Sequence, residues 1–314
     1  MKTNWLIPSL GAAVLVVLGF VAGEFWVKIA TEAIIMVLFA ASFALLYGQT
    51  GLLTFGQGAY FAVGAYGFAL SMTKLELPFA LCFIIGVVSA GLWAWITGFL
   101  CVRLAGIYFA IMTVVVAQST FFIIFQWYDF TGGDNGIQGL IPPGFLQLPL
   151  AYYYFALAVS AVAYYGYYRL VTSPFGLSLR SIRENTTRAT FVGIHVRRHT
   201  LKAFVVSGLF AGLSGVLFAP FTRTVVPQMA DWLSSGKAVF MGILGGPAHL
   251  AGPLVGALVW VFLDAVVSGF TVHWPLIIGI LVFVIVFFMP GGLMGLIASY
   301  GGASSIGRER EPQS

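Results

Sequence analysis

The chain has 314 residues, 60% of them hydrophobic and only 8% charged. Soluble globular domains carry about 25% charged residues, so the composition excludes a water-facing globular surface and makes this an integral membrane protein. The formal net charge of +5 does not point to nucleic acid, because the basic residues gather in one loop between apolar runs.

Those runs are continuous and approach or exceed the roughly 20 residues that a crossing helix needs. An outer-membrane barrel would instead show segments of about 10 residues with alternating polarity. The fold class is therefore all-α, a polytopic integral membrane protein. Spans are predicted at Trp5–Ala22, Ala30–Tyr47, Ala59–Met72, Pro78–Leu100, Gly106–Trp127, Leu150–Tyr168, Ala203–Pro220, Leu250–Gly269 and Trp274–Met289. Ala238–Leu244 is a further apolar piece, too short to cross alone. The first run follows Lys2 and ends in Val21-Ala22-Gly23, which loosely resembles a cleavage site. Its apolar core exceeds the usual 7–15 residues or so of a secretory signal, so it reads as a membrane anchor. Cys82 and Cys101 fall in or beside apolar runs, without metal-like spacing, and read as small buried hydrophobes.

Between the second and third spans stands GQTGLLTFGQGAYFAVGAY, Gly48 to Tyr66. Gly48, Gly51, Gly56 and Gly58 interrupt the boundary, with Gln49, Thr54 and Gln57 among them. A second such break runs from Gly236 to Pro253 and contains Gly245 and Gly246. Non-helical backbone at membrane depth must be buried in protein or line a wet cavity. Paired breaks in two halves of a transporter point to a translocation pathway. Two glycine-rich surface turns are the plainer alternative, but both stretches keep apolar residues throughout. The amides and hydroxyl of the first break offer hydrogen bonds without fixed charge, which suits a neutral or zwitterionic cargo. Gly208, Gly212 and Gly215 form a small-residue packing face and carry no chemistry.

The longest internal polar stretch, 169–202, holds Arg169, Arg180, Arg183, Arg188, Arg197, Arg198 and Lys202 against the single acid Glu184. The positive-inside rule places it in the cytoplasm, and counting back puts the loop Tyr128–Pro149 outside. Ser173-Pro174 is a helix start, with Ser as cap and Pro at the first position. Leu179 and Ile182 and then Phe191 and Val192 supply an apolar face, with Arg180, Arg183, Glu184 and Arg188 on another. Gly193 fits a helix stop. The segment reads as a pair of short amphipathic helices with a basic face. It suits either anionic lipid headgroups or a cytoplasmic protein, and its order favours the protein.

Catalytic signatures are absent from the sequence: no HExxH, no GxSxG and no phosphate-binding GxxxxGK[ST]. The carboxylates look scattered, with Asp264 the one assigned to a span, close to its end. Without a carboxylate pair, proton coupling is poorly supported, and energy has to enter elsewhere.

At this point several stretches resemble a known family. LLYGQTGLLTFGQGAYFAVGAY, TGGDNGIQGLIP, the segment from Ser173 to Ala219, GILGGPAHLAGPLVGALV and FFMPGGLMGL are similar, in order, to signatures of the branched-chain amino acid type of ABC-transporter permease, second permease type. The resemblance spans about Ala30 to Leu296. It implies about 8–10 transmembrane helices with both ends inside, one permease domain over 1–300 with its coupling loop at 169–202, and a polar tail at 301–314. It implies no enzyme activity and no cofactor on this chain, ATP being hydrolysed by partners. Those partners would be a second homologous permease subunit, two cytoplasmic ATPases and a periplasmic solute-binding protein, in a bacterial inner membrane. By position, ATPase coupling falls on Arg180, Arg183, Glu184, Asn185, Arg188 and Gly193. Thr186, Thr187, Arg188, Thr190 and Lys237 depart from the family pattern. The cargo implied is a branched-chain or other neutral amino acid. Urea or a short amide is the rival cargo, and an ATPase-independent carrier or channel is the rival class.

Overall fold

The computed structural model describes residues 23–269 and, beyond them, 273, 276–277, 279–280, 283, 287–288 and 291–295. The predicted first span, most of the last one and the tail 301–314 lie outside the described residues.

The predicted runs are helices α1 (Glu24–Thr50), α2 (Gln57–Thr73), α3 (Phe79–Cys101), α4 (Ile107–Gln126) and α6 (Pro149–Thr172), and the loop before α6 adds the single turn α5 (Tyr128–Thr131). The basic loop carries α7 (Pro174–Glu184) and α8 (Thr186–Phe191), and then follow α9 (Val196–Thr222), α10 (Trp232–Gly245) and α11 (Gly252–Ser268). Among the described residues, strand pairing is confined to β1 (Ile137–Gln138) against β2 (Thr224–Val225), antiparallel, with Ile137 opposite Val225. The chain is all-α and polytopic. Helices α1, α3, α4 and α9 are long and apolar enough to cross a membrane.

Helix α1 has 27 residues, about 40 Å at the usual rise, and is apolar on every side from Ala33 to Leu46. A helix without a polar face belongs in an interior or a membrane. Here α6, α9, α10 and α11 surround it, and 78% of its most apolar window is buried. Helix α3 is the opposite case. Leu81, Ile84, Val88, Leu92, Trp95 and Phe99 are exposed at helical spacing, a stripe that faces lipid or another membrane chain. Between them, α2 packs against both α3 and α9 at backbone distance. A Cβ on Gly64 would lie 2.4 Å from Gly212 O, so the glycine face of α9 does pack helices together. Cys82 and Cys101 are free and buried.

The direction of the chain follows from two contacts. Trp26 stacks on Phe262 at 6.3 Å, and Gly48 abuts Pro247. Helix α11 therefore runs antiparallel to α1, and the end of α1 meets the start of α11 on the side of the basic loop. Helix α10 starts deep, where Ser235 meets Gly58, and ends on that same side. Its 14 residues cover about 21 Å, less than a full crossing. The short apolar piece Ala238–Leu244 is thus the core of a half-helix, preceded by β2 and a 3-10 turn at Pro227–Ala230. Gly291 and Gly292 lie against Gly246, so the chain is back on the basic-loop side by residue 291, as the resemblance implies.

Candidate functional site

Helix α1 stops at Gly51, whose left-handed φ of +73° costs a glycine little. The chain then turns back into the bundle. Gln57, the first residue of α2, reaches Ser42, which lies eight residues before the end of α1, about 12 Å up the helix. Residues 51–56 are therefore non-helical backbone at membrane depth, and their polar groups find partners in protein. Thr113 Oγ1 accepts from Phe55 N at 3.0 Å and buried Thr54 Oγ1 accepts from Gly56 N at 3.2 Å. Ser235 Oγ of α10 accepts from Gly58 N at 2.8 Å.

Gln57 is fully buried and both ends of its amide are engaged. Its Nε2 donates to Ser207 Oγ at 3.0 Å, and Ser207 donates to Ser42 O at 2.6 Å. Ser42 shares its hydroxyl hydrogen between Phe39 O at 2.6 Å and Gln57 Oε1 at 3.1 Å. The ring ties α1, α2 and α9 together below the break.

The second break touches the first at Gly48, where a Cβ would sit 2.0 Å from Pro247 O, and Ser235, the residue before the second break, bonds Gly58. Gly245 packs equally tightly on Gly252, and Gly246 turns the chain at φ +99°. Gly48, Gly58, Gly245 and Gly246 thus fall at the junction of α1, α2, α10 and α11, while Gly51 packs on Arg183 of the basic segment and Gly56 on Thr113 of α4.

The basic segment closes this junction. Ser173 caps α7 by accepting from Gly176 N at 3.4 Å, and Pro174 opens it. Leu179 and Ile182 are buried. Half-buried Arg180 and exposed Arg183 both reach the end of α1. Arg180 Nε donates to Gln49 Oε1 at 2.8 Å, and Arg183 Nη1 donates to Gly48 O at 2.8 Å. The last carbonyls of a helix lack intrahelical partners and carry its negative dipole end, so two guanidiniums fit there. Glu184, Asn185 and Arg188 are exposed. Asn185 caps α8 by accepting from Arg188 N at 2.9 Å. Gly193 ends the pair at φ +89°, with its N and that of Ile194 donating to Thr190 O and Ala189 O, each at 3.0 Å.

One expectation is corrected. Phe191 and Val192 do not continue the buried face of Leu179 and Ile182; they are 87% and 82% exposed. The extended backbone at Asn185, φ −161°, resets the helical phase, and Ala189 is the buried residue of α8.

Residues 25–289 match the family described as branched-chain amino acid transport system / permease component. The chain belongs to this family. It is 26% identical over 302 residues to the high-affinity branched-chain amino acid transport system permease protein LivM of Escherichia coli K12, covering 88% of this chain and 71% of that one. It is 27% identical to LivM of Salmonella typhimurium, covering 85% of this chain and 69% of that one. A guanosine ABC transporter permease protein of Bacillus subtilis, NupQ, is 30% identical over 112 residues, 35% of this chain and 34% of that one. No solved structure matches. A permease component is a transport protein and not an enzyme.

The permease also holds a group that sequence reasoning missed. Glu32 lies inside the predicted second span, half-buried in α1, and Asp264 is half-buried in α11 with its Oδ1 lacking a hydrogen-bond partner. The signal was available, since any acid within an apolar span is a functional candidate.

Proposed function

We propose that this permease is the membrane subunit of a bacterial importer that moves branched-chain or other neutral amino acids across the inner membrane, driven by ATP that partner subunits hydrolyse. In this reading, residues 1–300 form one transmembrane permease domain. It pairs with a second homologous permease, two cytoplasmic ATPases and a periplasmic binding protein. No cofactor sits on this chain.

The observation that supports coupling is the pair of bonds from Arg180 to Gln49 and from Arg183 to Gly48 O. They join the exposed helix pair α7–α8 to the end of α1, where the two glycine breaks meet. An ATPase that moves this pair by rigid-body displacement would pull on the end of α1 and slide Gly48 against Pro247. That contact is backbone on backbone, so it does not deform smoothly, which favours two discrete arrangements. Exposed Arg188, Phe191 and Val192 supply a basic and apolar face for the ATPase. Gln49, Thr54 and Gln57 supply the uncharged polar groups of the pathway, which become free when the junction opens.

The cargo rests on the family and on the two LivM relatives, whose names carry branched-chain amino acids. The NupQ likeness covers a third of the chain and makes a nucleoside the rival cargo. The test is reconstitution in proteoliposomes with and without the ATPase subunits. ATP-dependent leucine uptake with the full assembly, and none with the permeases alone, is the expected result. Uptake by the permeases alone would establish a self-contained carrier. Uptake of guanosine or urea in place of leucine would keep the mechanism and replace the cargo.

A further inference from the structure

Helices α3 and α9 bring two arginines onto one aromatic ring. Gly98, near the end of α3, abuts α9: a Cβ there would lie 2.6 Å from Phe204 and 3.0 Å from Leu201. That contact sets the start of α9 beside the end of α3. Arg103, two residues past α3, lies over the Phe99 ring with its Cζ 4.5 Å from the ring centre. Arg197, in the first turn of α9, approaches the same ring at 5.7 Å. Both distances fall within the reach of guanidinium–aromatic attraction.

No counter-charge is built in beside them. Helices α3, α4 and α9 contain neither Asp nor Glu. Among the described residues the ion pair formed is Lys28 with Glu24, so neither arginine is paired. Both are exposed. Two like charges on one ring repel each other, and an anion from outside the chain relieves that repulsion.

The surroundings say which anion. Phe99 is the last residue of the exposed stripe Leu81, Ile84, Val88, Leu92 and Trp95, and Leu100 and Leu104 are exposed beside it. The oily face of α3 therefore runs without a break into the two guanidiniums. Trp95, one turn before Phe99, suits the boundary between hydrocarbon and headgroups. Arg197 and Arg198 also border an open cavity of about 420 Å³ beside Gly193 and Ile194, which leaves room for a headgroup on the Arg197 side of the ring. An acidic protein segment matches the charges but not the stripe. A lipid with an anionic head matches both.

We propose that Arg103 and Arg197, held by Phe99, form a binding site for an anionic phospholipid in the leaflet on the basic-loop side. The guanidiniums take its phosphate through charge-assisted hydrogen bonds, and an acyl chain lies along Trp95, Leu92 and Val88. The site is separate from the α7–α8 face and holds for any cargo.

The test uses the full-length permease purified in mild detergent, with two readouts. Native mass spectrometry measures retained phosphatidylglycerol in the wild type, Arg103→Gln, Arg197→Gln and the double variant. Arg188→Gln, on the exposed face of α8, is the control. One arginine at an anionic lipid surface corresponds to about a fivefold change in affinity. Each single variant is expected to lose about that much, the double variant about twenty-fivefold, and the control nothing. Thermal unfolding is the second readout. Phosphatidylglycerol raises the wild-type midpoint, phosphatidylcholine does not, and the double variant loses most of the rise.

Equal retention by the wild type and the double variant, or equal stabilisation by phosphatidylcholine, overturns the lipid site. The same thermal shift with inorganic phosphate and no lipid would assign the arginines to a free anion, and the lipid assignment falls. A double variant that keeps its lipid but no longer co-purifies with the ATPases would place the pair in a protein interface and overturn the proposal as well.

Discussion

Arg180 Nε donates to Gln49 Oε1 at 2.8 Å, across 131 residues of chain. Sequence reasoning assigned these two residues to different tasks, one to coupling and one to the pathway. In the folded chain they share one bond, and Arg183 bonds the carbonyl of the neighbouring Gly48. The coupling helices are thus fastened to the break rather than merely lying near it.

The first prediction concerns that bond. Gln49 is buried and Arg180 half-buried, so the charge-assisted contact is worth about 1.5 kcal/mol, the low end for its type. Arg180→Ala and Gln49→Ala are expected to lower ATP-driven uptake, and the double variant to do little more than either alone. A double-mutant cycle on uptake rates measures this. Strictly additive losses would mean that the bond transmits nothing.

The second prediction separates two arginines that the sequence grouped together. Arg183→Glu sets a carboxylate against Gly48 O and the negative end of the α1 dipole, so uptake is expected to fall while the ATPases still bind. Arg188→Glu changes only the exposed face of α8, so it is expected to weaken ATPase binding instead. Co-purification of the ATPases with each variant, alongside uptake, distinguishes the two. Unchanged uptake in the variant carrying both reversals would exclude a coupling role for this segment.

A third prediction rests on close approach. Gly48→Ala puts a methyl group 2.0 Å from a backbone oxygen, and no rotamer can relieve it. Overpacking of this kind costs about 1–3 kcal/mol or more. Lower thermal stability in detergent and reduced uptake are expected. Gly166→Ala is the control. Its Cβ would meet open space within α6, where alanine stabilises a helix by about 1 kcal/mol relative to glycine. Equal stability of the two variants would count against the Gly48–Pro247 contact.

The fourth prediction addresses Gln57. Gln57→Leu keeps the volume but removes the acceptor for Ser42 and the donor to Ser207, both buried. Both hydroxyls keep their backbone acceptors, Phe39 O and Ser42 O, so the loss is that of two hydrogen bonds at about 1 kcal/mol each, and the midpoint of thermal unfolding should drop. Ser207→Ala removes two bonds of the ring and leaves the buried Gln57 Nε2 without its acceptor, so it should cost at least as much. A neutral Gln57→Leu in stability, combined with lost uptake, would shift this residue from the ring of hydrogen bonds to a direct role in the pathway.

Much of the coupling pair was legible because its signals are local. Ser173-Pro174 starts α7, and Gly193 ends α8 in the left-handed conformation, since capping depends on residues within one turn. The phase of α8 was not legible. Leu179, Ile182, Phe191 and Val192 look like one apolar series, and only the extended turn at Asn185 shows that the last two face outward. The two glycine breaks were also visible from the sequence, because glycines and amides between apolar runs are conspicuous. Their mutual contact was not, since Gly48 and Pro247 are far apart in the chain.

By itself the sequence determined the class, the apolar helices α1 to α4, α6, α9 and α11, and the family. Each of these depends on composition or on local pattern, which survive without knowledge of neighbours. The tertiary structure alone decided that Arg180 and Arg183 reach the end of α1. It also decided that Gln57 is held in a closed ring and that α10 is a half-helix. These are long-range relations between helices, and in an apolar sequence almost every helix face is equally oily. Periodicity then carries little information, and the few polar side chains that choose partners across the bundle set the arrangement.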